Sequence, residues 1–164
     1  MTIYLGLGSN LGDRMGYFRE AIHALDQSGV AVLRTASVYE TTPIGAPTGS
    51  PMFLNTALEA RYSASPGQLI QTCLEIERVA GRVRAEPNAA RTLDIDVLLV
   101  PDITIRTSQL TLPHPRYAER RFVLVPLNEI APGLVDPERG VTIRDLLAAC
   151  PDNSAVTLYA PPLR

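Results

Sequence analysis

Two aspartates, Asp94 and Asp96, interrupt the otherwise apolar stretch RTLDIDVLL at residues 91–99. Aspartate is a poor strand former, and two carboxylates on one strand face repel each other. At about 3.3 Å per residue the pair sits about 6.6 Å apart on the same face. Two divalent ions about 3.5–4 Å apart, each bound by oxygen at about 2.1 Å, can be bridged by such a pair. Magnesium usually takes one or two carboxylates and completes its shell with substrate phosphate oxygens, so a phosphate ligand is expected nearby. A solvated strand face, with Leu93, Ile95 and Val97 turned to a core, satisfies the same spacing equally well.

The arginines favour the phosphate reading. All 15 basic residues are arginine. Residues 78–121 carry a net +3 and the remainder −5, although the whole chain is only −2. Arg82 and Arg84 of GRVR fall at the end of a helical pattern, and Arg91 stands directly before the DxD stretch. Guanidinium groups suit phosphate oxygens and stay charged when desolvated. Taken alone, Arg82 is explained as a helix C-terminal charge favoured by the dipole. The negative total gives no support for non-specific nucleic-acid binding.

Other stretches are less decisive. GLGSNLGDR lacks the third glycine of a dinucleotide fingerprint, since Leu11 stands there, and a lysine-free chain has no Walker A lysine. It reads as a turn between strand and helix. In PMFLNTAL, Phe53 and Asn55 share a strand face, so a ring could stack a planar ligand while an amide reads its edge. A buried amide needs partners. In LPHPRYAERRF, His114 lies between two prolines with Arg116, Arg120 and Arg121 behind it, either a phosphate clamp or a surface turn. His23 falls among apolar residues of the first helical pattern and reads as structural.

The elements that must position these residues follow from periodicity. Strands are expected at 2–8, 30–40, 52–62 and 92–100. Helices are expected over 14–28, capped by Asp13, and from Ser65-Pro66 to about Val83, with Leu69, Cys73, Ile76 and Ala80 buried. The segments 41–51 and 84–90 read as loops. The order is β-α-β-β-α-β, an α+β class with a ferredoxin-like core. A C-terminal extension of irregular structure follows, with a helix at about 142–149. A chain of 164 residues is expected to form one domain, 1–164. No apolar run is long enough for a membrane span, and no basic region precedes an apolar run at the N-terminus. Cys73 and Cys150 lack metal-site spacing, and no disulfide is expected. A cytoplasmic monomer is the expectation.

Taken together, GLGSNLGD, TTPIG, FLNTAL, GRVR, RTLDIDVLL, LPHPR and ERRFVLVPLNEIAP resemble the 6-hydroxymethyl-7,8-dihydropterin pyrophosphokinases of folate biosynthesis, in order, over about the first 135 residues. The resemblance implies transfer of pyrophosphate from ATP to the pterin hydroxymethyl group, with release of AMP. It implies two Mg2+ ions on Asp94 and Asp96. It implies ATP phosphate contacts from Arg82, Arg84 and Arg91, with His114 and Arg120 also toward ATP, and catalytic roles for Arg82, Arg91, Asp94 and Asp96. It implies pterin contacts from Thr41, Ile44, Phe53, Asn55 and Phe122. Asn88 stands where that family has an aromatic residue, and Pro115 where a tyrosine can follow the histidine. A non-catalytic ferredoxin-like small-molecule-binding domain is the alternative, since fold does not fix function.

Overall fold

The computed structural model describes residues 1–43, 45, 47–82 and 90–164. Its frame is an antiparallel sheet covered on both faces by helices. Strand β1 (Thr2–Ser9) pairs with β4 (Phe53–Arg61) on one side and β5 (Asp94–Leu99) on the other. Strands β2 (Ala31–Thr35) and β3 (Val38–Thr41) share the far edge of β4, and β8 (Val156–Ala160) closes the sheet beside β3. Two short strands, β6 (Ile105–Arg106) and β7 (Thr111–Leu112), form a separate ribbon. Helices α1 (Arg14–Gln27) and α2 (Pro66–Val79) cover one face, and α3 (Arg121–Ile130) and α4 (Ile143–Ala148) the other.

Alternation along β1 divides the core. Ile3, Leu5 and Leu7 point to α1 and α2 and meet Phe18, Leu25 and Leu69. Tyr4 points to the opposite face, where Leu98, Tyr117, Leu124 and Leu127 form a second apolar cluster. Helix α1 buries Phe18, Ala21, Ile22 and Leu25 at helical spacing, and Asp13 caps it by accepting the Gly16 N–H at 3.0 Å. Helix α2 opens on a reciprocal capping box between Ser65 and Gln68. His23 is exposed on α1.

Several boundaries differ from the periodicity reading. The expected strand 30–40 is two strands. Thr56 donates its hydroxyl to the Ala36 and Ser37 carbonyls at 3.0 and 3.1 Å, and Glu129 of α3 takes the Ser37 N–H at 2.5 Å, so the backbone leaves the ladder there. Helix α2 stops at Val79, short of Val83. Gly81 takes a left-handed turn at φ +84°, its N–H bonds the Arg78 carbonyl at 3.0 Å, and the Arg82 N–H bonds the Glu77 carbonyl at 3.1 Å. This is a Schellman end, which glycine accommodates without strain. The C-terminal extension is more regular than expected, with α3 running through Pro126 and β8 joining the sheet. None of the described helices is long and apolar enough to cross a membrane.

Behind α3 lies a buried polar node. The Tyr117 hydroxyl donates to Asp136 at 2.5 Å, and Asp136 also accepts from the Glu138 and Arg139 N–H groups and the Arg139 guanidinium. Burial raises the Asp136 pKa, but these donors outweigh it and hold the carboxyl below its ordinary value. Tyr117→Phe removes one donor from a fully buried acceptor and is expected to cost about 1–3 kcal/mol in urea unfolding at neutral pH. A folded-state value below the unfolded one stabilises above the usual carboxylate range and is lost in acid. The difference between variant and parent should therefore narrow as pH falls through the lowered Asp136 value.

Candidate active site

Asp94, Asp96 and Leu98 share a face of β5, next to Gly8 and Gly6 of β1 in register. Those glycines leave the sheet surface open. A Cβ on Gly8 would lie 3.2 Å from Asn55 Nδ2, with Asp94 Cβ and a Phe53 ring carbon next nearest. Asn55 faces the same side from β4 and accepts the Thr41 hydroxyl on its Oδ1 at 2.8 Å. In this arrangement the Nδ2 donors are turned the other way.

The arginines reach Asp94 from two directions. The Schellman turn places Arg82 just past α2, where its guanidinium contacts both Glu77 and Asp94. Glu77 is 3% exposed and also accepts the Ile95 N–H at 3.3 Å. Arg91 donates from Nε to the other Asp94 oxygen at 3.0 Å, and its guanidinium lies 5.0 Å from the Phe53 ring centre. Its backbone is held by Asn10, which accepts the Arg91 N–H at 2.8 Å, donates its own N–H to the Arg91 carbonyl at 3.1 Å, and ties Pro51 through Nδ2. The motif reading as a simple turn missed this. Asn10 is 2% exposed and joins the entries to β4 and β5.

Two cavities meet at the carboxylate pair. One, of about 490 Å³, is lined by Thr41, Phe53, Asn55, Arg91 and Phe122. The other, of about 530 Å³, is lined by Ile70, Glu77, Arg82, Leu110 and His114. Among the described residues only Asp94, Asp96, Arg116 and Arg120 border both. The structure thus brings together Thr41, Phe53, Asn55, Arg82, Arg91, Asp94, Asp96, His114, Arg120 and Phe122. Ile44 and Arg84, like Asn88, lie outside the described residues.

The electrostatics are those of a strained anionic pair among cations. Burial, with Asp94 and Glu77 nearby, raises the Asp96 carboxyl to about 7, against the pull of Arg120 and Arg82. Burial and the neighbouring Arg120 lower His114, so the ring is neutral at physiological pH. Its Nδ1 accepts the Arg116 N–H at 3.2 Å, which leaves Nε2 as the protonated nitrogen, a donor to an anion. Burial and Arg116 also lower Arg120. Sequence reasoning missed Glu77 and Asp152. Asp152 accepts the Arg121 N–H at 3.0 Å and so caps the start of α3 beside Phe122. Glu77 carries a legible signal, an acid at i+4 from Cys73 on the buried helix face; Asp152 carries none.

A divalent ion fits this donor set. Among the described residues no third acid, histidine or cysteine completes a metal cluster. The remaining oxygens would come from water and phosphate, which suits magnesium better than zinc or calcium. The raised Asp96 value has a testable consequence in metal-free protein. A carboxyl whose folded pKa exceeds its unfolded value stabilises below 3.8 and loses that contribution as pH rises to about 7. Asp96→Asn should match the parent in thermal unfolding in acid and exceed it at pH 7 and above, and magnesium should recover part of the parent's deficit.

A family model described as 7,8-dihydro-6-hydroxymethylpterin-pyrophosphokinase matches residues 4–132. The chain is 41% identical over 160 residues to the 2-amino-4-hydroxy-6-hydroxymethyldihydropteridine pyrophosphokinase of Synechocystis sp., covering 97% of this chain and 80% of that one. It is 44% identical over 128 residues to the protein of the same name from Bacillus subtilis, covering 77% and 76%. Wild-type Plasmodium falciparum HPPK-DHPS, solved with pteroate, shares the fold with a TM-score of 0.68 at 16% identity, over 90% of this chain and 42% of that longer one. The family match runs from Tyr4 of β1 through α3 and takes in every described residue that lines the two cavities except Asp152, and the chain belongs to the 7,8-dihydro-6-hydroxymethylpterin-pyrophosphokinase family.

Proposed function

We propose that this enzyme transfers pyrophosphate from ATP to the hydroxymethyl group of 6-hydroxymethyl-7,8-dihydropterin in tetrahydrofolate biosynthesis, with two magnesium ions held by Asp94 and Asp96. The observation that carries the residue assignment is the carboxylate pair standing where two cavities meet. The pterin takes the cavity of Phe53, Asn55 and Phe122, and ATP takes the one lined by Arg82 and His114. The hydroxymethyl oxygen attacks the β-phosphorus, the bond from that phosphorus to the α–β bridging oxygen breaks, and AMP leaves. The hydroxyl proton passes to solvent. Bound magnesium would neutralise triphosphate charge and lower the cost of losing that proton.

The protein's own contribution is positioning and charge, as phosphoryl transfer requires. Arg82 and Arg91, parked on Asp94, can exchange that carboxylate for phosphate oxygens. His114 supplies a neutral donor and Arg120 a half-buried cation. Thr41 aims the Asn55 amide at the pterin edge, and Phe53 and Phe122 supply stacking faces. By family resemblance, Ile44 completes the pterin set and Arg84 the phosphate set.

The same reading takes residues 1–164 as one domain, a cytoplasmic monomer with a ferredoxin-like core. The strand order β5–β1–β4 followed by β2 and β3 supports that core, and both apolar clusters pack on the one sheet. A non-catalytic binding domain would have no use for two carboxylates between its cavities.

The deciding measurement is AMP formation from magnesium-ATP on adding the pterin. AMP with a pterin diphosphate is expected; ADP, or no turnover, overturns the reading. Arg91→Ala should lower kcat by about 10²–10³, or about 2.7–4 kcal/mol of lost transition-state stabilisation. Arg78→Ala, an exposed residue paired with Glu75, should leave kcat near normal; equal losses at both positions would mean a general field effect. Phe122→Ala should weaken pterin binding by about 2–4 kcal/mol and ATP binding far less, as read by calorimetric titration.

A further inference from the structure

Arg116 has no role in the assignment above, yet it is one of the four described residues that border both cavities. The other cation among them, Arg120, is half-buried, and its guanidinium lies 5.8 Å from the Phe122 ring centre. Arg82 spends its charge on Glu77 and Asp94, and Arg91 donates to Asp94. The Arg116 side chain is exposed and has no acidic partner among the described residues.

Its backbone, by contrast, is fixed on both sides. The His114 N–H bonds the Leu98 carbonyl of β5 at 2.6 Å, and the Arg116 N–H bonds His114 Nδ1. The Glu119 N–H returns to the Arg116 carbonyl at 3.1 Å, closing a 3-10 turn over Tyr117–Glu119. Tyr117 is fully buried and bonded to Asp136. The turn therefore places a guanidinium that has no acidic partner among the described residues on the same two cavity borders as that of Arg120. Arg120 feels Asp94 and Asp96 as well as Arg116, so the aspartates offset part of the like-charge repulsion and a bound polyanion would offset more of it. A polyphosphate with several oxygens suits two adjacent guanidinium forks.

We propose that Arg116 is a further phosphate-binding residue, which holds the transferred pyrophosphoryl group in ATP and keeps hold of it in the pterin product. A cation bordering both cavities can serve both states without moving its backbone. The identity of the travelling group rests on the proposed function; the claim that Arg116 binds polyphosphate does not, because binding is measured without turnover.

The test is calorimetric titration of magnesium with a non-hydrolysable ATP analogue, and of magnesium pyrophosphate, into the parent, Arg116→Gln, Arg116→Lys and Arg78→Gln. Arg116→Gln is expected to weaken both ligands about tenfold, the scale of one charge-assisted hydrogen bond. Arg116→Lys should recover part of that loss, and the loss should shrink at high salt. Pterin alone should bind the parent and Arg116→Gln equally. Unchanged affinity for both phosphate ligands in Arg116→Gln overturns the proposal, as does an equal loss in Arg78→Gln. If the analogue binds more weakly to Arg116→Gln but the parent forms no AMP, the function falls and Arg116 stands. If the parent forms AMP and Arg116→Gln binds like the parent, Arg116 falls and the function stands.

Discussion

Two carboxylates separated by one residue on a strand repel each other, and burial magnifies the repulsion because little water screens it. The elements around β5 answer that repulsion with cations brought from different parts of the chain. Arg82 arrives through a glycine-terminated helix, and Arg91 through a backbone clamp made by Asn10. Arg120 arrives from the turn ahead of α3. Removing the cations would push the pair further toward holding a proton on Asp96, whose carboxyl is already raised by burial. In this sense the packing of α2, the β1 turn and the start of α3 all bear on the same electrostatic problem.

The sheet contributes by what it lacks. Gly6 and Gly8 leave no side chains on β1 between Asn55 and Asp94, so a planar ligand can approach the strand surface. Helices α3 and α4 cover the rest of that face with Leu124, Leu127 and Ile143, which restricts the opening to one end of the sheet. The opposite face, packed by α1 and α2, contributes no ligand-facing side chain from α1 and delivers Glu77 and Arg82 from the end of α2.

Much of this was legible before the structure, for identifiable reasons. The amphipathic spacing of Phe18, Ile22 and Leu25, the Asp13 cap and the Ser65-Pro66 start are local signals, and local signals survive folding. The aspartate spacing was legible because strand geometry converts it directly into distance. The break between β2 and β3 was not, because Ala36 and Ser37 carry no breaker signal; Thr56 and Glu129 impose it from elsewhere in the chain. Helix α3 was hidden by Pro126, and Asn10 by the blandness of a Gly/Asn turn. Its bonds to Arg91 and Pro51 span 81 and 41 residues, which no local pattern encodes. The roles assigned to Ile44 and Arg84 concern positions outside the described residues.

The cap that Asp152 places on α3 reaches beyond local stability. Its partner, the Arg121 N–H, directly precedes Phe122, and Arg121 returns a bond to the Ser154 carbonyl at 3.3 Å. The family match ends at residue 132, so this tie is made by a segment outside it. In a chimera of two relatives, a crossover placed between α3 and residue 152 would draw the two ends of these bonds from different parents. Segments 121–130 and 152–154 are therefore one structural unit at this point, although 21 residues lie between them in the sequence.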